Sequence, residues 1–570
     1  MLGPLVRKGR QLFEDPVLCR WLVRRAFRLE PRPPAFVAGR PPYLTGSWPE
    51  TSGAAWRGSA GAFEAPSAPA RIALAGATVA VDPRNPGALF RGPFADLETE
   101  LSAHRFAWVP VAGRDADTAW VAALWEAWLN RYGDAADGWA WHTYTAAERA
   151  INLIDFARHH GLPGDADRTV TILARHADAI ARNLEYFGDH YTSNHLANDG
   201  RGLLRVGTAL GLDGVAALGA DIMVAEAARI FGRSGLLREG STHYHLLLSR
   251  NYADAWLEAD AAGMPQAAAL RETVVRALCA ASRLRLGGGM PLIGDISPDC
   301  PPDFLASLAE AAASGGWIGC LDQTQTDAFA SLRETAAHAP EPDMASDGWH
   351  RFGAHGWEAL AYVPADGWAP MPGHGHQDLS GFELHFGRIP VIVDPGRGSY
   401  RDTPADRLYE SAAAHNGLSI DGADPAPRNR PYYADAFRRR IVATPPAVSH
   451  GNAETTLVHS GYARLRGVGA VRRTWRFEDG RVRLFDSVDG RGRHRIRRQF
   501  ATPHPVKCDG RTATVEAPGA RFRIDFSAPA TLRPITLWSA YGAGNPGSLI
   551  VSEGDMDLPC ELSAVIERGA

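Results

Sequence analysis

A chain of 570 residues is too long for a single hydrophobic core, so two large domains are expected. Hydrophobic residues make up 45 % and charged residues 22 %, the balance of an ordinary globular protein, which excludes a disordered or fibrous chain. With 64 acidic against 60 basic residues the formal charge is −4; no global basic field points to nucleic acid, and a polyanionic ligand would need a local basic patch.

Residues 1–100 read as a lead-in, partly helical and otherwise irregular, rich in Pro, Gly and Ala in stretches such as PRPPAF and VDPRNPG. The opening MLGPLVRKGRQLFEDPVLCRWLVRRAFRLE lacks the uninterrupted apolar run of a secretory signal, and no later stretch is long and apolar enough to span a bilayer. A cytoplasmic location is therefore expected, with peripheral membrane association through this basic, Leu/Phe/Trp-bearing segment left open. The six cysteines contain no Cys-x-x-Cys pair, so neither a disulfide framework nor a thiolate zinc site is indicated.

From 101 to 338 the apolar residues recur at helical spacing. DTAWVAALWEAWLNRYG, AAERAINLIDFARHHG, ADRTVTILARHADAIARNLEYFG, VAALGADIMVAEAARIFG and HYHLLLSRNYADAWLEADAAG are each a helix, several of them closed by glycine. Short connections imply paired antiparallel helices, as a solenoid or a toroid. After the polar stretch APEPDMASDG the period changes to 2. RRTWRFEDGRVRLFDSVDG predicts two strands about an Asp-Gly turn, and FELHFGRIPVIVDPG, TATVEAPGARFRIDF and SAVIE predict more, so 346–570 reads as an antiparallel β-sandwich.

Four stretches carry candidate chemistry. In Tyr191-Thr-Ser-Asn194-His195-Leu-Ala-Asn198, Ser193 is a candidate N-cap, which would place Asn194 and His195 in a first helical turn whose free N–H groups favour an anion. In Glu239-Gly-Ser241-Thr-His243-Tyr244-His245, Tyr244 shares a helix face with Leu248 and Tyr252, a stripe that is more often core than catalyst. Gly373-His374-Gly-His376-Gln-Asp378 sets two histidines at i and i+2, which a strand would point to one face and a polar loop would not. His376, Asp394 and His415 form a His/Asp/His set of ligand types suited to zinc, drawn from separate loops or strand ends. In Gly294-Asp295-Ile-Ser-Pro-Asp299 the acidic residues are turn caps or one member of a carboxylate pair.

Taken in order, HRFAWVP (104–110), WHTYTAAERAIN (141–152), SNHLAN (193–198), EGSTHYH (239–245), PLIGD (291–295), GHGHQD (373–378), VDPGRGSY (393–400) and HNGLSIDG (415–422) resemble the heparinase II/III family of polysaccharide lyases. The resemblance implies an incomplete (α/α) toroid followed by an antiparallel β-sandwich, with a cleft between them, and β-elimination that breaks the C4–O4 bond of a hexuronic acid. It implies Asn194, His195, Tyr244 and His374 as catalytic residues. Asn194 would hold the uronate carboxylate, His195 or Tyr244 would take H5, and Tyr244, or failing that His374, would protonate O4. Asn198, Glu239, Arg105 and Trp141 would contact substrate, and His376, Asp394 and His415 would hold a structural zinc. The implied partner is an acidic poly- or oligosaccharide, and a homodimer is left open. Without an export signal, an alginate or glucuronan fragment, or a bacterium's own acidic exopolysaccharide, suits better than a long sulfated polymer. The competing readings are a glycoside hydrolase with a carboxylate pair such as Asp199 and Asp295, and a non-catalytic saccharide-binding or exopolysaccharide-assembly protein.

Overall fold

The computed structural model describes residues 16–30, 37–135, 137–188, 194–310, 314–365, 373–426 and 444–569. The helical half is built from Thr118–Tyr132, Thr143–His160, Ala166–Arg182, Asn194–Leu210, Asp213–Ile230, Thr242–Ala261, Ala267–Leu284 and Gln323–Ala337, close to the spans the periodicity predicts. Neighbours in sequence pack on one another, and Asn194–Leu210 also packs on Thr143–His160 and Thr242–Ala261. Their apolar faces contribute to three buried clusters, one around Leu246, Tyr252 and Val274, a second around Ala150, Ile154, Leu203 and Ile222, and a third around Val121, Trp125, Trp128 and Phe156. Between Thr143–His160, Asn194–Leu210 and Thr242–Ala261 lie buried charged side chains. There Arg201 pairs with Glu148 and Asp254, and Arg205 with Asp254 and Glu258, because buried guanidinium groups require carboxylates.

The lead-in holds more regular structure than its composition suggests. It carries a helix at Pro16–Ala26 and a hairpin of β1 (Ala70–Leu74) and β2 (Ala77–Val81), turned at Gly76. Between them the chain straps the helical half, with Gly39 N–H donating to Tyr186 O at 2.9 Å and Ala55 N–H to Leu210 O at 3.0 Å.

The β half contains two sheets. β3 (Trp349–Phe352), β4 (Trp357–Tyr362), β5 (Glu383–Phe386) and β6 (Ile389–Ile392) form a four-stranded antiparallel sheet in sequential order. The larger sheet has ten strands: β7 (Leu418–Ile420), β8 (Ala447–His450), β9 (Glu454–His459), β10 (Val468–Glu478), β11 (Arg481–Thr502), β12 (Val506–Asp509), β13 (Thr512–Ala517), β14 (Ala520–Phe526), β15 (Ala530–Ala540) and β16 (Ala543–Arg568). The predicted hairpin at Asp479-Gly480 joins β10 to β11, with Gly480 at φ 65°. Trp357, Leu384 and Val391 of the small sheet bury against Trp475, Phe500, Phe522 and Ile550 of the large one, which makes the pair a sandwich.

One buried charge cluster sits in this sandwich. Arg473 donates to both oxygens of Asp486, at 2.6 and 2.9 Å, and Arg498 adds a bond at 2.7 Å. Burial works against the Asp486 charge, but the two guanidinium groups hold its carboxyl at about 2. Its stabilisation is therefore complete above the unfolded carboxylate value of 3.8 and is lost as pH falls through about 2. Replacing Asp486 by Ala strands two buried cations and should cost about 3–5 kcal/mol, read as a fall in the urea midpoint of the β half.

Candidate active site

Three chain segments distant in sequence meet at one carboxylate. Asp295 Oδ2 lies 3.0 Å from His374 Nδ1, Asp295 Oδ1 lies 2.9 Å from His376 Nε2, and Arg397 Nη1 donates to both oxygens at 3.2 and 3.3 Å. Burial alone would raise the Asp295 carboxyl; Arg397 and the two imidazoles instead hold it well below its ordinary value. The backbone makes this meeting possible. Asp295 N–H donates to His374 O at 2.9 Å, and Ile296 N–H to Arg397 O at 2.9 Å, so the 291–297 loop of the helical half bridges two loops of the β half. Gly294, at φ 85°, must be glycine, since a Cβ there would stand 2.6 Å from Gly240 O and 2.8 Å from His374 O.

His374 and His376 occupy a loop rather than a strand, so the i, i+2 spacing does not turn them to one strand face. Asp295 turns both rings instead. With Nδ1 committed to Asp295, the Nε2 of His374 faces Asn194, 3.4 Å from its Nδ2. The ring of His374 stacks on Tyr244, with centroids 3.5 Å apart and planes inclined by 9°. Tyr244 is presented by Ser241, which caps the helix Thr242–Ala261 by accepting from Tyr244 N–H and donates its own hydroxyl to Asp295 O at 2.7 Å. The Tyr244 phenol lies 2.9 Å from that of Tyr400. Burial pushes the Tyr244 phenol well above its usual value, so it is a neutral O–H group. In the same stripe Leu248 and Tyr252 are core, the latter donating to Met223 O at 2.9 Å.

Asn194 and Tyr244, from the helical half, thus meet His374, from the β half. His195 has a different environment from His374. Its Nδ1 lies 3.0 Å from Glu185 Oε1, and its ring packs on Tyr144 at 4.8 Å. Desolvation disfavours the imidazolium, but the Glu185 carboxylate outweighs it and raises the His195 pKa, a poor setting for a proton acceptor.

The four expected substrate contacts are all buried. Glu239 is 0 % exposed; its carboxylate accepts from Asn194 N–H and from Asn194 Nδ2, each at 2.9 Å. The anion at this helix N-terminus is the protein's own side chain, and Glu239 positions Asn194 rather than meeting a ligand. Trp141 is 7 % exposed, donates to Tyr132 O at 2.8 Å and packs on His176 and Trp128, which makes it core. Asn198 is 1 % exposed, one turn further along the helix than Asn194, with no hydrogen-bond partner for either amide atom among the described residues. Arg105 is spent on Asp299 at 2.7 Å, whose other oxygen accepts from Tyr144 at 2.6 Å. Of the two carboxylates weighed for hydrolysis, Asp199 is buried, accepts from Glu185 N–H and has its carboxyl pushed well up by burial, while Asp295 is engaged by His374, His376 and Arg397. The Ser193 cap lies outside the described residues.

Sequence reasoning missed Arg397, Tyr400 and Glu185, and it named Asp295 only as a turn cap or one member of a carboxylate pair. Asp295, Arg397 and Tyr400 stand inside PLIGD and VDPGRGSY, so the motifs marked the place without assigning the side chains.

The metal set does assemble. Donor atoms of His376, Asp394 and His415 all lie within 4.8 Å of one another. His415 Nδ1 is 2.8 Å from Asp394 Oδ2, and its Nε2 is 2.9 Å from Tyr409 O. Burial lowers His415, but Asp394 overrides it and lifts the imidazole to about 9. Among the described residues the buried Nδ1 of His376 has no hydrogen-bond partner, while its Nε2 is held by Asp295. An orphaned ring nitrogen beside a carboxylate and a second imidazole, with a carboxylate orienting the far side of the ring, is a donor set that fits zinc.

With that geometry in view, residues 336–565 match the family described as heparinase II/III-like, C-terminal. A crystal structure of heparinase III superposes with TM-score 0.58 at 15 % identity, covering 83 % of this chain and 77 % of that one. A mutant of heparan sulfate lyase HepC from Pedobacter heparinus superposes with TM-score 0.52 at 14 % identity, covering 84 % and 78 %. No curated protein matches the sequence significantly. The fold is therefore the toroid-and-sandwich fold of these lyases. More particularly, the β half of this chain is similar to the heparinase II/III-like C-terminal family. No helix among the described residues is long and apolar enough to cross a membrane.

The His195 imidazole, followed by NMR, should titrate above the ordinary value of about 6.5. In Glu185→Gln its pKa should fall back to or below that value.

Proposed function

We propose that the protein is a lyase acting on uronic-acid-containing poly- or oligosaccharides by β-elimination. The observation that carries this reading is the convergence of Asn194 and Tyr244 from the helical half with His374 from the β half within contact distance of one another. Elimination needs three things at one uronate ring: a donor for the carboxylate, a base for H5 and an acid for O4. Asn194, held by Glu239, supplies an amide N–H, and the adjacent His195 supplies positive charge; both stabilise the enolate-like charge that develops as C5 loses its proton. His374 takes H5 on Nε2, because Asp295 fixes the opposite nitrogen, so the base passes to His374 from the residues the sequence favoured. The C5–H electron pair becomes the C4=C5 bond, the C4–O4 pair leaves on oxygen, and the neutral Tyr244 phenol protonates O4. Stacking of the two rings sets base and acid side by side, as elimination within one sugar requires.

We further propose that His376, Asp394 and His415 bind zinc. The metal would supply positive charge that fixes the 373–378 loop, and through the loop His374. Native protein should carry about one equivalent of zinc and His376→Ala almost none; equal metal content in both would overturn the assignment.

The reaction is tested with a panel of uronate polymers and oligomers, following the ultraviolet absorption of the C4=C5 bond conjugated to the carboxylate. A hydrolase gives no such signal. Tyr244→Phe should lower the rate by roughly 10²–10⁴-fold, and full activity in that variant would remove the phenol from proton transfer.

A further inference from the structure

One side chain that the elimination mechanism does not use adds a bridge to the β half beside the candidate site. Tyr541 stands at the tip of the β15–β16 hairpin, where the strands close between Ala540 and Ala543. Its phenol donates to Asp96 Oδ2 at 3.1 Å and accepts from Tyr400 N–H at 3.1 Å. The first partner caps the helix that runs from the lead-in into the helical half, and the second belongs to the β half. Asp96 is itself fixed, since its other oxygen accepts from Thr99 N–H at 2.8 Å and caps the helix Leu97–Arg105. Tyr400 is the residue whose phenol meets Tyr244.

Packing at the hairpin tip holds the same register. Gly542, at φ 72°, meets the tip of the β1–β2 hairpin so closely that a Cβ on it would stand 2.1 Å from Gly76 Cα. Gly542 N–H donates to Gly398 O at 2.6 Å and Trp538 N–H to Pro395 O at 2.9 Å, tying the hairpin to the loop that carries Arg397 and Tyr400. The Tyr541 ring meets that of Tyr400 edge-on, with centroids 5.2 Å apart and planes at 76°. A continuous path therefore runs from Asp96 through Tyr541 and Tyr400 to Tyr244.

We propose that Tyr541 is a positioning residue: by bridging Asp96 and the Tyr400 backbone it sets the height of the Tyr400 phenol, and through it the direction of the Tyr244 O–H. This rests on the elimination reading for its kinetic consequence, but not for its geometric one. Asp96 accepts on Oδ2 and caps on Oδ1, so Asp96→Asn keeps the cap and removes the acceptor. Tyr541→Phe keeps the ring and its packing and removes both hydrogen bonds.

The experiment combines crystal structures of Tyr541→Phe and Asp96→Asn with steady-state kinetics on an oligouronate, using the full chain and thermal melts as a folding control. Both variants should melt like the native protein and show the Tyr400 and Tyr244 oxygens drawn out of hydrogen-bond contact. Each should lose about ten- to a hundredfold in kcat with KM little changed, since what is lost is orientation of the acid. The double variant should be no slower than the worse single one, because both changes cut the same bridge. An unmoved phenol pair in Tyr541→Phe overturns the proposal whatever the activity, and so does an unchanged kcat. If native protein forms no unsaturated product on any uronate while the phenol pair still separates in the variants, the elimination reading fails and the clasp stands.

Discussion

The site depends on a single buried carboxylate with three cationic or proton-bearing partners. Asp295 sits at the end of a loop pinned to the start of the helix Thr242–Ala261, and His374, His376 and Arg397 close on it from the β half. A buried anion of this kind is costly unless it is fully satisfied, so the two halves of the chain are held in one arrangement by the need to satisfy it. The same contact orients two imidazoles in opposite senses. His374 has Nδ1 on Asp295 and Nε2 toward Asn194; His376 has Nε2 on Asp295 and a buried Nδ1 with no partner among the described residues.

Around that anchor, charge is matched before any ligand arrives. His195 is met by Glu185, Arg105 by Asp299, and Arg397 by Asp295 and Glu410. The backbone and side-chain N–H groups of Asn194 are held by Glu239. Such pairing fixes rotamers, so the groups around the site are held in one arrangement. Tyr244 is the exception to charge matching. It is a buried phenol whose proton is retained by burial, and its neighbours are two rings and a second phenol.

Residues that resemblance marks as important divide by burial into those that face the cleft and those that support it. Glu239 and Trp141 carry motif positions yet contact only protein, one behind Asn194 and the other in the aromatic core with Trp128 and His176. Arg105 belongs with them, since its guanidinium serves Asp299. A motif records that a side chain is needed, and only packing tells whether it is needed by the ligand or by its neighbours. Tyr400 shows the converse: it lies within VDPGRGSY, and its role became visible only when its phenol was found against Tyr244, 156 residues away in the chain.

What the amino-acid sequence determined by itself is local. A period of 3.6 followed by a period of 2 divides the chain into a helical and a β half, glycine and Asp-Gly pairs mark helix ends and hairpins, and residue types such as the His/Asp/His set announce their chemistry. Periodicity reports which face of an element is buried, and carries no information on which distant loop will lie against its end. The meeting of Asp295 with His374 and Arg397, across 79 and 102 residues, and the reach of Tyr541 to Asp96, across 445, follow from how the halves dock. Docking is a property of whole surfaces and of the buried charges that must be paired there, so it was decided only in the tertiary structure.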